Sequence, residues 1–347
     1  MTTQERIQDL HRLGEKLNEA LSASGLSDID YGLRQTLNTA FLLNPWFDVE
    51  MCRKALAAFL PWLEKESLKT WLEAYPLRET KEKKIGIVMA GNIPAVGFHD
   101  LLCVLASGHH AHVKYSSSDS VLIPWLFKQL VDINDRWQSC LSIAETKISG
   151  AEAFIATGSD NSSRYFEYYF RDKPHLIRKN RTSAAILQGN EDLDFLRKLG
   201  EDIFTFYGMG CRSVSKLYVP AGYDFKSFFE AIFPYSSVTA NRRYLNNYEY
   251  YRAYYLMNLE PVIDNHFLLL RPDSGLFSPP SVLYYEEYHS LSMLREKLEE
   301  KKTQLQCLIA DSRNFPEALS PSSAQLPGLK DYADGVDTMK FLCALSE

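Results

Sequence analysis

The stretch Lys84-Ile85-Gly86-Ile87-Val88-Met89-Ala90-Gly91-Asn92-Ile93-Pro94 decides the fold. Its first seven residues form a short apolar run with β-branched side chains, the pattern of a buried strand, and Gly91 to Pro94 end it as a turn. An apolar helical segment from Val96 to Ala106 follows and stops at Gly108, and His112-Val113-Lys114-Tyr115 reads as the next strand. Asp119 or Ser120 is a candidate cap for a helix through Trp125, Phe127 and Leu130. Ala153 to Ala156 is a further strand, broken by Thr157-Gly158-Ser159, and Ser183 to Gln188 is another. Strands alternating with helices imply βαβ units and a parallel, doubly wound sheet. Such sheets bind ligands at the carboxyl ends of their strands, here Gly91–Pro94, Lys114–Ser118 and Thr157–Ser159.

Upstream, Ile7, Leu10, Leu13, Leu17 and Leu21 keep a helical period; Asp48 caps a second helix through Cys52, Leu56 and Leu60, and Ser67 starts a third. Downstream, a helix from Leu193 to Phe206 leads into a strand at Lys216–Pro220. Strands at Val282–Tyr285 and Leu305–Ala310 flank a charged helix, Leu291 to Lys302. The division read from these patterns is a helical segment over 1–78, a dinucleotide-binding domain over 79–206, a catalytic domain over 207–315, and a C-terminal tail over 316–347 that returns toward the cofactor domain.

The chain has 347 residues, 46% of them apolar and 24% charged, which is ordinary globular composition. A formal net charge of −6 argues against a general nucleic-acid binder. Six scattered cysteines with no CxxC pair support neither a zinc ribbon nor a thioredoxin motif and read as reduced thiols of a cytoplasmic protein. The polar N-terminus lacks the apolar core of a signal peptide, and no apolar run has membrane-spanning length.

Chemistry concentrates at Phe206-Tyr207-Gly208-Met209-Gly210-Cys211-Arg212-Ser213. Glycines beside a cysteine let the chain bend and a ligand approach, and a thiol on such a turn can attack a carbonyl. A buried structural cysteine has the same local sequence. His109, His110 and His112 offer no third metal ligand nearby, so no metal site is expected and they read as structural or surface residues. Arg171, Lys173, Arg178, Lys179 and Arg181 read as a solvated basic face, with a phosphate contact as the rival reading. Tyr244, Tyr248, Tyr251 and Tyr255 share one helical face, either core or the wall of an acyl tunnel.

Taken in order, Met89-Ala90-Gly91-Asn92-Ile93-Pro94, Ala106-Ser107-Gly108 with His112-Val113-Lys114-Tyr115-Ser116, Thr157-Gly158-Ser159, Gly208-x-x-Cys211 and Asp334-Gly335 resemble the aldehyde dehydrogenase superfamily. More closely they resemble its LuxC-type acyl-CoA reductase branch, which supplies fatty aldehydes, over roughly residues 84 to 342. The resemblance implies an aldehyde dehydrogenase-like α/β fold of two doubly wound domains with a helical N-terminal segment. It implies NAD(P)H-dependent reduction of a long-chain acyl-CoA, or an acyl-carrier-protein thioester, to the fatty aldehyde through an acyl-cysteine. It makes Cys211 the nucleophile and gives the oxyanion to the Asn92 side chain and the Cys211 N–H. It places Lys114, Ser116, Thr157, Gly158 and Ser159 on the cofactor. No acidic residue ends the 112–115 strand, so Lys114 and Ser116 favour NADPH over NADH. A homo-oligomer or an acyl-transfer partner enzyme is compatible with it.

Three departures stand out: Met209 replaces the glutamine of the nucleophile motif, Gly275-Leu276-Phe277-Ser278-Pro279 lacks the late glutamate, and Lys173 to Gln188 holds no carboxylate where the general base is expected. Hydrolysis of an acyl-enzyme needs a base to activate water, so its absence favours reduction. The rivals are an aldehyde dehydrogenase acting oxidatively, an acyl-transfer protein, and a degenerate dinucleotide-binding protein.

Overall fold

The computed structural model describes residues 1–22, 28–77, 82–158 and 160–345. The chain divides into two compact units, residues 1–179 with 328–347, and residues 180–327.

The first unit opens with helix α1 (Thr3–Ser22), which buries Ile7, Leu10, Leu13 and Leu17 on the face the spacing predicts. Helix α2 (Asp28–Leu43) escaped the sequence reading although Leu33, Leu37 and Ala40 recur at helical spacing and are buried. Asp48 caps α3 (Val49–Ala57), accepting the Met51 N–H at 2.8 Å. Helix α4 (Lys65–Leu72) starts behind Glu64, so Ser67 lies inside it rather than capping it.

The sheet of this unit contains β1 (Lys84–Val88), β2 (His110–Lys114), β3 (Leu141–Ile143), β4 (Ala153–Thr157) and β5 (His175–Arg178). Its order is β3-β2-β1-β4-β5, with every pairing parallel. Helices α5 (Phe98–Ser107), α6 (Leu122–Ile133) and α7 (Asp160–Phe170) connect the strands. Chain order reverses at β1, whose Val88 is in register with Lys114 on one side and Ala156 on the other. The three strand ends named from sequence therefore stand level at one edge, the switch point of a doubly wound sheet. Gly108 ends α5 in a left-handed conformation, φ 87°.

A buried ion pair fastens the C-terminal segment to this unit. Arg178 at the end of β5 donates to Asp100 Oδ1 at 2.7 Å, Thr338 Oγ1 at 2.7 Å and the Ala333 carbonyl at 2.7 Å. Trp71 Nε1 and Tyr75 meet the Tyr332 hydroxyl, both at 2.7 Å. Within the basic cluster only Arg178 is buried; Arg171, Lys173 and Lys179 are exposed, as a solvated face requires, with Lys173 Nζ on the Ala151 carbonyl and Lys179 paired with Glu167 at 3.1 Å.

The second unit contains β6 (Thr182–Ile186), β7 (Val214–Pro220), β8 (Ile263–Asp264), β9 (Leu269–Pro272), β10 (Val282–Tyr288) and β11 (Leu305–Ile309), in the order β11-β6-β7-β10-β9-β8. Only β8 runs antiparallel among these described strands. Its helices are α8 (Leu193–Phe204), α9 (Lys226–Ile232), α10 (Arg242–Met257) and α11 (Leu291–Lys301). Because β6 pairs with β7, this strand and α8 belong to the second unit, and the division falls at 179/180 where the sequence patterns put it at 206/207. The tyrosine face of α10 is core: Tyr244 donates to the Phe267 carbonyl at 3.0 Å, Tyr248 to Asp264 at 2.7 Å, and Tyr255 lies under the Arg271 guanidinium at 4.9 Å.

Candidate functional site

In the second unit, α8 ends at Phe204 and β7 begins at Val214; the residues between them form a tight, strained turn. Phe206, Tyr207 and Gly208 all have left-handed backbones, with φ of 54°, 58° and 76°. Glycine adopts this conformation freely, but each aromatic residue there costs about 1–2 kcal/mol. Burial holds them: Phe206 and Tyr207 are 7% and 5% exposed, Tyr207 packs 5.9 Å from Tyr244, and the Met209 N–H closes the turn on the Phe206 carbonyl at 3.1 Å. Strain of this kind gathers where a reactive group must be held in one orientation. The sequence put the bend on the glycines; the aromatic pair ahead of them carries most of it.

Cys211 follows, half-buried and not disulfide-bonded. Its neighbours are locked reciprocally. The Gly210 N–H donates to Ser213 Oγ at 3.2 Å, and the Ser213 N–H to the Gly210 carbonyl at 3.0 Å. Arg212 Nη1 reaches the Ala324 carbonyl and Cys307 Sγ, both at 3.3 Å. The Cys211 carbonyl accepts from the Ser183 hydroxyl at 3.1 Å. Asp202, wholly buried on α8, accepts the N–H groups of Ser322 at 2.7 Å and Ala324 at 3.1 Å. Burial pushes its carboxyl up to about 7 against the pull of those N–H groups. Below the turn, Ser215 Oγ donates to the Leu276 carbonyl at 2.5 Å, and the buried Lys216 ammonium meets the Asp273 carbonyl and, at 3.2 Å, Glu286. Burial lowers Lys216 to about 8. These bonds fix the 273–277 loop, the segment that lacks the expected glutamate.

In the first unit, Asn92 is exposed in the turn after β1, Lys114 is exposed at the end of β2, and Ser116, Thr157 and Gly158 are half-buried beside them. Gly91 is required here, since a Cβ on it would lie 2.5 Å from Ser116 Oγ. Ser159 lies outside the described residues. Asp119, expected as a helix cap, stands just ahead of α6, whose leading Val121 and Leu122 N–H groups pull on its carboxylate, and it also accepts the Ala95 N–H at 2.6 Å and so clamps the Asn92–Ala95 turn. Burial pushes the Asp119 carboxyl up to about 6. One exposed cation, two hydroxyls and glycine turns at adjacent strand ends fit an anionic dinucleotide, and no acidic residue lies between Lys114 and Ser118 to repel a further phosphate.

The three histidines are engaged elsewhere. His109 Nε2 meets the Leu342 carbonyl at 3.2 Å, His110 bridges Ser139 and Ser142, and His112 meets Ser142 Oγ at 2.8 Å. Among the described residues no group of three His, Cys, Asp or Glu could hold a metal ion, and no helix is long and apolar enough to cross a membrane. Sequence reasoning missed Ser183, Asp202 and the clamping role of Asp119. None of the three carries a local signal that sets it apart, since Ser183 shares its apolar strand with the neighbouring Thr182 hydroxyl.

A family model described as acyl-CoA reductase (LuxC) matches residues 26–232, a span that includes Cys211. Similar solved structures are aldehyde dehydrogenases. Aldehyde dehydrogenase 21 from Physcomitrella patens, in complex with the reaction product succinate, is 12% identical with a TM-score of 0.69, over 100% of this chain and 85% of that one. An aldehyde dehydrogenase from Bacillus cereus in complex with NAD+ is 12% identical with a TM-score of 0.63, over 91% and 73%. Betaine aldehyde dehydrogenase from Staphylococcus aureus is 10% identical with a TM-score of 0.64, over 92% and 74%. At these identities the likeness establishes the aldehyde dehydrogenase-like fold. No curated protein matches the chain in sequence.

Proposed function

The chain belongs to the LuxC acyl-CoA reductase family, and from that premise we propose that it reduces a long-chain acyl-thioester to the fatty aldehyde through an acyl-Cys211 intermediate. The observation that carries the reading is the strained, buried turn that presents Cys211 within the matched span. The Cys211 thiolate attacks the thioester carbonyl, and the donor thiol leaves with a proton as a new thioester forms. Charge on the carbonyl oxygen calls for preset donors; by resemblance these are the Cys211 N–H and the Asn92 amide. Neither β5, β6 nor the residues between them bear a carboxylate, so no base from that segment activates water against the acyl-cysteine. A reduced nicotinamide dinucleotide, when bound, supplies the hydride that takes the thioester to the aldehyde level. Lys114, Ser116, Thr157 and Gly158 would hold it, with Ser159 by resemblance. Lys114 and Ser116 favour NADPH, with NADH as the alternative, and the acyl donor is acyl-CoA or an acyl carrier protein.

The test is aldehyde formation from a long-chain acyl-CoA with NADPH and, separately, NADH, using the wild type and Cys211→Ala. Aldehyde from the wild type alone supports the reading. Oxidation of added aldehyde to free acid, with no reduction of acyl-CoA, overturns it in favour of an oxidative enzyme. Cofactor binding without turnover in either direction overturns it in favour of a non-catalytic protein.

A further inference from the structure

Ser183 sits on β6 with no exposed surface, yet its one hydroxyl serves two backbones. It donates to the Cys211 carbonyl at 3.1 Å and accepts the Cys307 N–H at 3.1 Å. Its own N–H donates to the Ser213 carbonyl at 3.2 Å. Thr182 next to it reaches the Ser213 carbonyl at 3.4 Å and Ser215 Oγ at 2.6 Å. Register between β6 and β7 shifts at this point, between Ser183 and Ala184, so the regular ladder does not extend to the nucleophile turn. Past the backbone bond from Ser183 to Ser213, the hydroxyl adds the tie to the Cys211 carbonyl.

The carbonyl of Cys211 belongs to the peptide plane that follows the thiol. Holding that oxygen fixes rotation about the Cys211 Cα–C bond, and the Gly210–Ser213 turn fixes the plane before it. With both planes held, φ of Cys211 is held as well as ψ, and φ sets the direction of the Cβ–Sγ arm relative to the Cys211 N–H. That relation decides whether a carbonyl attacked by sulfur places its oxygen on the N–H donor. We infer that Ser183 is a positioning residue for Cys211, acting through the Cys211 carbonyl to align thiol and oxyanion donor; this rests on the reading of Cys211 as acyl acceptor. A purely structural Ser183 would satisfy the Cys307 N–H and leave acylation alone.

The experiment measures two reactions of Cys211 in the full-length protein, acylation by a long-chain acyl-CoA and alkylation by iodoacetamide, each read by mass. Displacement on iodoacetamide needs a thiolate but no oxyanion donor; acylation needs both. Ser183→Ala is expected to slow acylation by about 10–100-fold, with the half-saturating acyl-CoA concentration and the alkylation rate each within about threefold of wild type. Ser183→Thr, which keeps the hydroxyl, is expected to restore acylation. Ser183→Cys keeps the volume with a weaker donor and carries the same test should the alanine variant not fold. Wild-type acylation rates in the alanine and cysteine variants overturn the inference, as does a parallel fall of alkylation and acylation, the mark of general disorder at the turn. Absence of an adduct on the wild-type protein refutes instead the reading of Cys211 on which the inference stands.

Discussion

Replacing Asp202 by asparagine should reshape the pH dependence of stability in the second unit. Asp202 is fully buried and accepts two backbone N–H groups from the loop that also meets Arg212, the residue after Cys211. Burial raises its folded-state value from 3.8 to about 7. Between these values the native state binds the proton more tightly than the unfolded state, so the contribution is fully present below pH 3.8 and is lost as pH rises through about 7. A difference of about 3 pKa units corresponds to about 4 kcal/mol. Asparagine keeps the shape and one acceptor but cannot ionise. Asp202→Asn should therefore gain about 4 kcal/mol relative to wild type between pH 4 and pH 8. All five tryptophans lie in the first unit, so their fluorescence does not report directly on the second. Hydrogen exchange of the β6 and β7 amides, measured across that pH range in both proteins, does. Parallel pH curves for the two proteins would refute the reasoning, and a wild type that gains on the variant as pH rises would mean that the carboxylate is stabilised by its N–H bonds more than it is penalised by burial.

Arg178→Leu should destabilise the first unit by about 3–5 kcal/mol, because it leaves the Asp100 carboxylate buried without its partner; tryptophan fluorescence in a denaturant series reads this directly. Although burial alone would raise it, the Arg178 charge and hydrogen bonds hold the Asp100 carboxyl below its ordinary value. The wild-type pair therefore stabilises above pH 3.8 and fails as pH drops through that lower folded value, a dependence that Asp100→Asn should remove. Gly91→Ala forces a methyl into Ser116 Oγ and should cost about 1–3 kcal/mol while weakening dinucleotide binding, measured by calorimetric titration with NADPH. Asp119→Ala removes the acceptor of the buried Ala95 N–H and should cost the first unit about 1–3 kcal/mol, read by tryptophan fluorescence in a denaturant series.

Where an apolar run ended in a glycine turn, the chain was readable. Such were β1 and β4, buried at their centres and cut by Gly91 and Gly158, with β2 marked by its place after Gly108 and ended by a serine run, and they positioned most of the candidate cofactor residues. Strand β5 was hidden because His175-Leu176-Ile177-Arg178 reads as basic surface; Arg178 is buried only through Asp100, distant in sequence. The same non-locality hid Asp119, whose cap-like setting beside α6 gives no sign of its bond to Ala95. Cys211 was visible from its glycines, but its turn was not. Phe206 and Tyr207 disfavour left-handed backbone, and only the packing of their rings imposes it. Ser183 owes its importance to a register shift that no local pattern encodes.

Intact mass of the protein after incubation with a long-chain acyl-CoA, before and after addition of NADPH, with Cys211→Ala in parallel, tests the central claim most directly. One acyl group on the wild type, none on the variant, and its removal by NADPH as aldehyde appears is the predicted result. An unmodified wild type across acyl chain lengths and donors, or an adduct that survives in Cys211→Ala, would contradict it.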